Sequence, residues 1–309
     1  MSILLMSTIG PMADWLAALK AAFPDDEVRG APDVGDPAKV EIALVATPNA
    51  ELLGKLSNLK LLVALRAGVD DLLAAPTVDP DVKICRAQEP GGDKMIDEYV
   101  LMHVLRHHRN MPEFAAAQAR REWINLGVKF AEERSVGFMG LGVIALSAAR
   151  RVRDLGFKTA AWTRTPKAEP GIESFAGRAR LAPFLERTEI LVNVLAVTPE
   201  TANIVNAETL ALLPKGASFI NIGRGEAVDD AALIAALDSG HLAHATLDVY
   251  RTEPLPKDHP FWAHPKITLM PHTSRRPRAA RIIPHAVENI RRFRAGQPLN
   301  QPVDRARGY

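Results

Sequence analysis

Short apolar runs recur along this chain, each bounded by turn residues and separated by stretches too long for hairpins. Residues 2–6, 42–46, 61–66 and 82–85 are such runs. Between them apolar positions fall at helical spacing, as at Trp15, Leu16, Leu19 and Phe23. Continuous apolar runs alternating with helical patterns predict parallel strands joined by crossover helices. A helix is predicted over 94–109, carrying Tyr99, Leu101, Met102 and Leu105. Six further runs follow, at 136–139, 159–162, 190–195, 218–222, 245–249 and 267–270, most of them separated by helical segments such as 231–237. Six strands with crossovers suit a full doubly wound sheet. Residues 278–295 read as a last helix, with Ile282, Ile283, Val287 and Ile290 on one face. That helix can return the chain to the first unit. The expected fold is therefore α/β, with two Rossmann-like or flavodoxin-like parallel-sheet domains. The second, at 98–274, is inserted into a discontinuous first domain made of 1–97 and 275–309.

Composition adds exclusions. Among the 309 residues, 47% are hydrophobic and 24% charged, as in ordinary globular proteins. A net charge of +2 gives no electrostatic case for a nucleic-acid partner. No apolar run approaches the ~20 residues that cross a membrane. The segment 2–6 is too short for a signal peptide and has no basic residues before it. Cys85 is the only cysteine, which fits a reducing compartment. Its apolar surroundings predict a buried, inert thiol.

The sequence Ser135-Val136-Gly137-Phe138-Met139-Gly140-Leu141-Gly142-Val143-Ile144-Ala145 reads as a strand, a glycine turn and a helix start. Gly140-x-Gly142-x-x-Ala145 fits the dinucleotide fingerprint with alanine in its third place. Met139, Gly140, Leu141, Gly142, Val143 and Ile144 then form the phosphate-binding turn, with the positive helix end facing the phosphates. An acid about 20 residues further on usually binds the ribose 2′-hydroxyl of NAD. Here no Asp or Glu lies between Asp154 and Glu169, and the second strand runs into Thr163, Arg164 and Thr165. Arg164 suits a 2′-phosphate through charge-assisted hydrogen bonds. The expected cofactor is NADPH, with NADH weaker.

Three polar residues follow consecutive strands: Arg224 after 218–222, Glu253 after 245–249, and His272 after 267–270. Ligands of open α/β sheets bind at the carboxyl ends of the strands. A guanidinium, a carboxylate and an imidazole gathered there suit hydride chemistry on a 2-oxo acid. Arg224 can hold the substrate carboxylate, His272 can donate a proton to the carbonyl oxygen, and Glu253 can orient the imidazole. The other histidines lack this setting, and His107 and His108, on a charged helix, read as surface. No metal-ligand spacing of Cys and His is present, so no metal is expected, and no Gly-x-Ser-x-Gly elbow occurs.

In these residues the chain resembles the D-isomer-specific 2-hydroxyacid dehydrogenase family. The likeness rests on 136–145, 193–201, Leu213-Pro214-Lys215-Gly216-Ala217, Asn221-Ile222-Gly223-Arg224-Gly225, 247–256 and Met270-Pro271-His272-Thr273-Ser274. It covers essentially the whole chain, including Ala67-Gly68-Val69-Asp70. The ending 303–309, together with Trp162-Thr163-Arg164-Thr165, is most similar to that family's bacterial, cytoplasmic, NADPH-preferring glyoxylate/hydroxypyruvate reductase branch. The resemblance implies reduction of small 2-oxo acids, glyoxylate to glycolate and hydroxypyruvate to D-glycerate, with His272 as the acid. It makes the discontinuous domain the substrate-binding one, with backbone amides of Ala67, Gly68 and Val69 holding the substrate carboxylate. It also implies that Leu195, Ile222, Gly223, Arg224, His272 and Ser274 contact the cofactor, that Asp248 accepts from the nicotinamide carboxamide, and that the protein is a homodimer through its cofactor domains. Departures are Ala145, Ala196, Arg66, Ala46 and the run Arg275-Arg276-Pro277-Arg278. Ala46 would widen the substrate pocket and Arg66 would add charge at its mouth, favouring longer or acidic 2-oxo acids. Two other readings stand beside this one: an NAD-linked dehydrogenase of a larger hydroxy acid, and a non-catalytic nucleotide-sensing protein on the same fold.

Overall fold

A computed structural model describes residues 2–73, 77–89, 91–306 and 308. Of the closing segment 303–309, Arg307 and Tyr309 thus lie outside the described residues. The chain divides into two compact units, Met1–Pro90 with Arg276–Tyr309, and Gly91–Arg275.

The first unit is built on strands β1 (Ser2–Met6), β2 (Glu27–Gly30), β3 (Val40–Val45), β4 (Leu61–Ala64) and β5 (Lys83–Arg86). They form one sheet in the order β2-β1-β3-β4-β5, every pair parallel. Alternate residues of a strand point to opposite faces, and both faces are covered here. Ile3, Leu5, Ile42, Leu44, Leu61 and Val63 pack with Trp15 and Leu19 of the helix Met12–Ala22 and with Ile282, Ile283 and Ile290 of Ala279–Arg294. Leu4, Met6, Ala43, Val45, Leu62 and Ala64 pack with Leu53, Leu56 and Leu72. Two buried faces are why these strands read as unbroken apolar runs. The chain's tail adds a last contact: Cys85 and Pro302 form an antiparallel bridge, and the Val303 N–H donates to the Ile84 carbonyl at 2.9 Å. Cys85 is free and fully buried, and burial pushes its thiol up to about 12.

The second unit holds β6 (Ser135–Met139), β7 (Lys158–Thr163), β8 (Ile172–Ala176), β9 (Ile190–Asn193), β10 (Ala217–Asn221), β11 (Leu242–Leu247) and β12 (Ile267–Leu269). The order is β12-β11-β10-β9-β6-β7-β8, again wholly parallel. From β6 the chain winds outward to β8, then returns to β9 on the other side. The strand order reverses between β6 and β9, where doubly wound sheets open their binding crevice. The helix Lys94–His108 lies wholly in this unit and packs against Val143–Asp154. Its buried residues Ile96, Val100, His103, Val104 and His107 recur at helical spacing. His107 and His108 are 6% and 7% exposed, so their expected surface position is wrong. Of the charged side chains beside them, Arg109 is exposed, while Arg106 turns inward and donates to the Thr268 hydroxyl at 3.1 Å.

The fold class is as the sequence led us to expect, with two corrections in detail. β2 and β8 raise the strand counts to five and seven. No helix among the described residues is long and apolar enough to cross a membrane.

Candidate active site

The second unit delivers its polar residues from the carboxyl ends of its strands. After β6, Gly140 takes φ +94, a backbone setting that a side chain would strain. Gly142 precedes the helix Val143–Asp154 as its N-cap, and no side chain caps that end. A Cβ built on Gly142 would have no heavy atom within 4 Å, so the backbone there faces open space. An open approach to an uncapped helix N-terminus fits a pyrophosphate. Ala145 is 2% exposed, as close helix packing requires. Met139 and Leu141 are buried, while Val143 is 43% exposed. Ile144 packs partly buried against the core beneath the turn.

β7 ends in Thr163, which is buried and donates its hydroxyl to the Thr165 carbonyl at 2.7 Å. Arg164 follows on the surface. β9 ends beside Leu195, whose backbone holds the next loop in place. A Cβ on Gly223 would stand 2.8 Å from the Leu195 carbonyl oxygen, and one on Gly225 would overlap the Tyr250 backbone at 1.9 Å. The Gly223-Arg224-Gly225 turn therefore fits only without side chains on both flanks. Two buried asparagines that the motif reading passed over complete its support. Asn193 Nδ2 donates to Asn221 Oδ1 at 2.9 Å, and Asn221 Nδ2 donates to the Arg224 carbonyl at 3.0 Å. The Gly223 N–H also donates to Asn221 Oδ1, at 3.1 Å. Their signal in the sequence was an amide closing each of two apolar runs. Arg224 itself is half-buried, and its guanidinium donates to the Gly223 carbonyl at 2.8 Å. Ile222 beside it is nearly buried.

The loops after β11 and β12 bring Glu253 and His272 together. Glu253 Oε2 lies 2.7 Å from His272 Nδ1, and Oε1 accepts the Tyr250 N–H at 3.0 Å. Partial burial disfavours the Glu253 charge. The hydrogen bonds from His272 and Tyr250, with the nearby charges of His272 and Arg224, outweigh burial and hold this carboxyl below its ordinary range. An ionised carboxylate can only accept, so Nδ1 carries the proton. Nε2 is then the ring nitrogen outside this pair.

His272 is a non-glycine residue at φ 49, the left-handed region. Its N–H donates to the carbonyls of Asp248 at 2.9 Å and Met270 at 3.0 Å. The Asp248 carboxylate, fully buried, takes the N–H groups of Thr273 at 2.7 Å and Ser274 at 2.9 Å, and the Tyr99 hydroxyl at 3.2 Å. Burial and the Asp248 charge push the Tyr99 phenol up, so it stays a donor. Asp248 thereby ties down the His272 turn. Ser274 is buried and takes part through its backbone.

In the first unit, Ala67, Gly68 and Val69 follow β4, with Val69 buried. Arg66 pairs with Asp71, and Ala46 is 1% exposed against the first unit's core.

A glycine turn at a sheet's switch point, beside a carboxylate–imidazole pair and an arginine on adjoining strand ends, defines a dinucleotide-dependent oxidoreductase site. Residues 101–274 match the model of the D-isomer specific 2-hydroxyacid dehydrogenase NAD-binding domain. The chain is 38% identical over 300 residues to glyoxylate/hydroxypyruvate reductase A of Salmonella heidelberg (strain SL476), covering 96% of each. A D-isomer specific 2-hydroxyacid dehydrogenase from Xanthobacter autotrophicus Py2, solved with NADPH and MES, superposes with TM-score 0.94 at 43% identity, covering 100% of this chain and 99% of that one. The NADPH-dependent glyoxylate/hydroxypyruvate reductase of Sinorhizobium meliloti, solved with NADP and sulfate, does so with TM-score 0.91 at 33% identity, covering 100% of both chains. The chain belongs to the D-isomer specific 2-hydroxyacid dehydrogenase family.

Proposed function

We propose that this protein is an NADPH-dependent reductase of small 2-oxo acids, turning glyoxylate into glycolate and hydroxypyruvate into D-glycerate. The observation that carries the reading is the hydrogen-bonded His272–Glu253 pair on the strand ends beside Arg224. When bound, the reduced nicotinamide supplies the hydride that arrives at the carbonyl carbon. His272 donates the proton from Nε2 to the carbonyl oxygen while Nδ1–H stays on Glu253. Arg224 supplies the cation for the substrate carboxylate, and amides of Ala67, Gly68 and Val69 share that load. The Glu253 carboxylate keeps the ring oriented.

The residues fit the cofactor. Gly140 to Ile144 cradle the pyrophosphate, and Arg164 between Thr163 and Thr165 takes the 2′-phosphate. Leu195, Ile222 and Gly223 line the remaining course. Initial rates over a panel of 2-oxo acids with NADPH and with NADH test this reading. Failure to oxidise NADPH with any of them would favour a nucleotide-sensing role. A preference for NADH and a larger acid would favour the NAD-linked alternative. Arg164→Asp weakens NADPH binding about tenfold to a hundredfold and NADH far less. Equal losses for both would remove Arg164 from the 2′-phosphate.

The protein acts as a homodimer in this reading. Met102, Met111, Phe114, Trp123, Val128 and Phe130, all on one stretch of the second unit, expose large apolar side chains, Trp123 completely. Such a concentration of apolar surface marks an interface, and a second copy is the occupant we assign. Sedimentation equilibrium reads the state directly. A cytoplasmic location goes with this function, and the free, buried Cys85 calls for no oxidising compartment.

A further inference from the structure

We propose that Arg86 is a positioning residue for the substrate carboxylate, acting through the peptide between Ala67 and Gly68. The inference rests on the function above and concerns only the first unit. Arg86 is the last residue of β5 and lies in register with Ala64, the last of β4. Its Nε–H donates to the Ala67 carbonyl at 2.8 Å.

A trans peptide sets its carbonyl and the following N–H in opposite directions. Fixing the Ala67 carbonyl on Arg86 therefore fixes the Gly68 N–H pointing away from Arg86. The charged donor also polarises the peptide, which makes that N–H a stronger donor to an anion. A flexible glycine turn becomes a fixed one.

Arg86 is itself held by the far end of the chain. Its N–H donates to the Gln301 carbonyl at 3.1 Å, and its carbonyl accepts Asn289 Nδ2 at 3.2 Å. Asn289 is 1% exposed, and its Oδ1 accepts the Asn300 N–H at 2.7 Å. The residue after Gln301, Pro302, bridges Cys85. The segment 300–303 and the helix Ala279–Arg294 together clamp the strand end from which Arg86 reaches the turn. This gives the C-terminal segment a task at the substrate, through backbone geometry alone.

The test compares Arg86→Met, which keeps the stem and removes the donor, with Arg86→Lys, which keeps a charged donor. Arg86→Met raises KM for glyoxylate about tenfold, with kcat within about twofold and the NADPH Kd unchanged. Arg86→Lys recovers part of that loss. The sharper readout is the ratio of kcat/KM for glyoxylate to that for methyl glyoxylate, which has no carboxylate to bind. Arg86→Met lowers this ratio about tenfold, whereas general loosening of the fold lowers both rates alike. If Arg86→Met does not fold, Arg86→Lys alone decides, since it must raise the glyoxylate KM severalfold and lower the ratio. A wild-type ratio retained in whichever variant folds overturns the inference. Absence of any 2-oxo acid reduction by the wild type overturns the proposed function instead.

Discussion

Two histidine neighbourhoods in the same unit have opposite properties. His272 is exposed, left-handed at φ 49 and hydrogen-bonded to a carboxylate. His103, His107 and His244 lie buried between the helix Lys94–His108 and β11. Neither ring nitrogen of His103, nor Nδ1 of His107, has a hydrogen-bond partner among the described residues. His107 Nε2 and His244 Nε2 reach only the hydroxyls of Thr246 at 3.0 Å and Thr268 at 2.9 Å. Burial, with Arg106 adding to it, lowers His103 and His244 to about 4, and burial lowers His107 as well. The lesson is that a carboxylate partner and an open path to solvent make an imidazole useful as an acid. Burial without a counter-charge makes it an aromatic filler.

The largest expected effect breaks the first neighbourhood. His272→Gln removes proton donation but leaves the dinucleotide turn untouched, so kcat falls about a hundredfold or more while the NADPH Kd holds. Near-normal turnover would show that His272 is not the acid. Next comes Glu253→Gln, which keeps the shape and removes the charge. Turnover should drop about tenfold while the NADPH Kd holds, since the imidazole has lost the carboxylate that orients it. Unchanged turnover would reduce Glu253 to a spacer.

The smallest effect sharpens the second neighbourhood. Buried neutral histidines bind protons less readily folded than unfolded, so the unfolded state holds more of them below pH 6.5. Stability then declines as pH falls from 6.5 toward about 4. The slope is at most about 1.4 kcal/mol per pH unit for each histidine. Melting curves across that range should flatten in His103→Leu. A slope identical to wild type would mean that His103 is already charged or solvated.

The same contrast governs what could be read from the sequence. Interior strands such as β3, β4 and β10 were legible because both faces are buried, which makes their sequences apolar without interruption. β2 and β8 were not. Each is a sheet edge with half its residues facing water, as in Glu27-Val28-Arg29-Gly30 and Ile172-Glu173-Ser174-Phe175-Ala176. Arg224, Glu253 and His272 stood out because each closes a loop directly after a strand. Asp248 and Arg86 are tied to residues far along the chain or dependent on register, and no local pattern announces such pairings. His107 and His108 misled because their charged neighbours on one helix concealed a face packed inward.

One more consequence follows from the crowding at Gly225. With no room for even a methyl group between that residue and the Tyr250 backbone, the arginine loop and the loop carrying Glu253 are butted together like masonry, without mortar. The Tyr250 hydroxyl, between the carbonyls of Leu247 at 2.8 Å and Met270 at 2.9 Å, sets the third course by pinning the end of β12. Guanidinium, carboxylate and imidazole therefore keep their spacing as one block. A redesign of substrate range that alters any of these three loops must therefore reckon with the other two, since moving one stone shifts its neighbours.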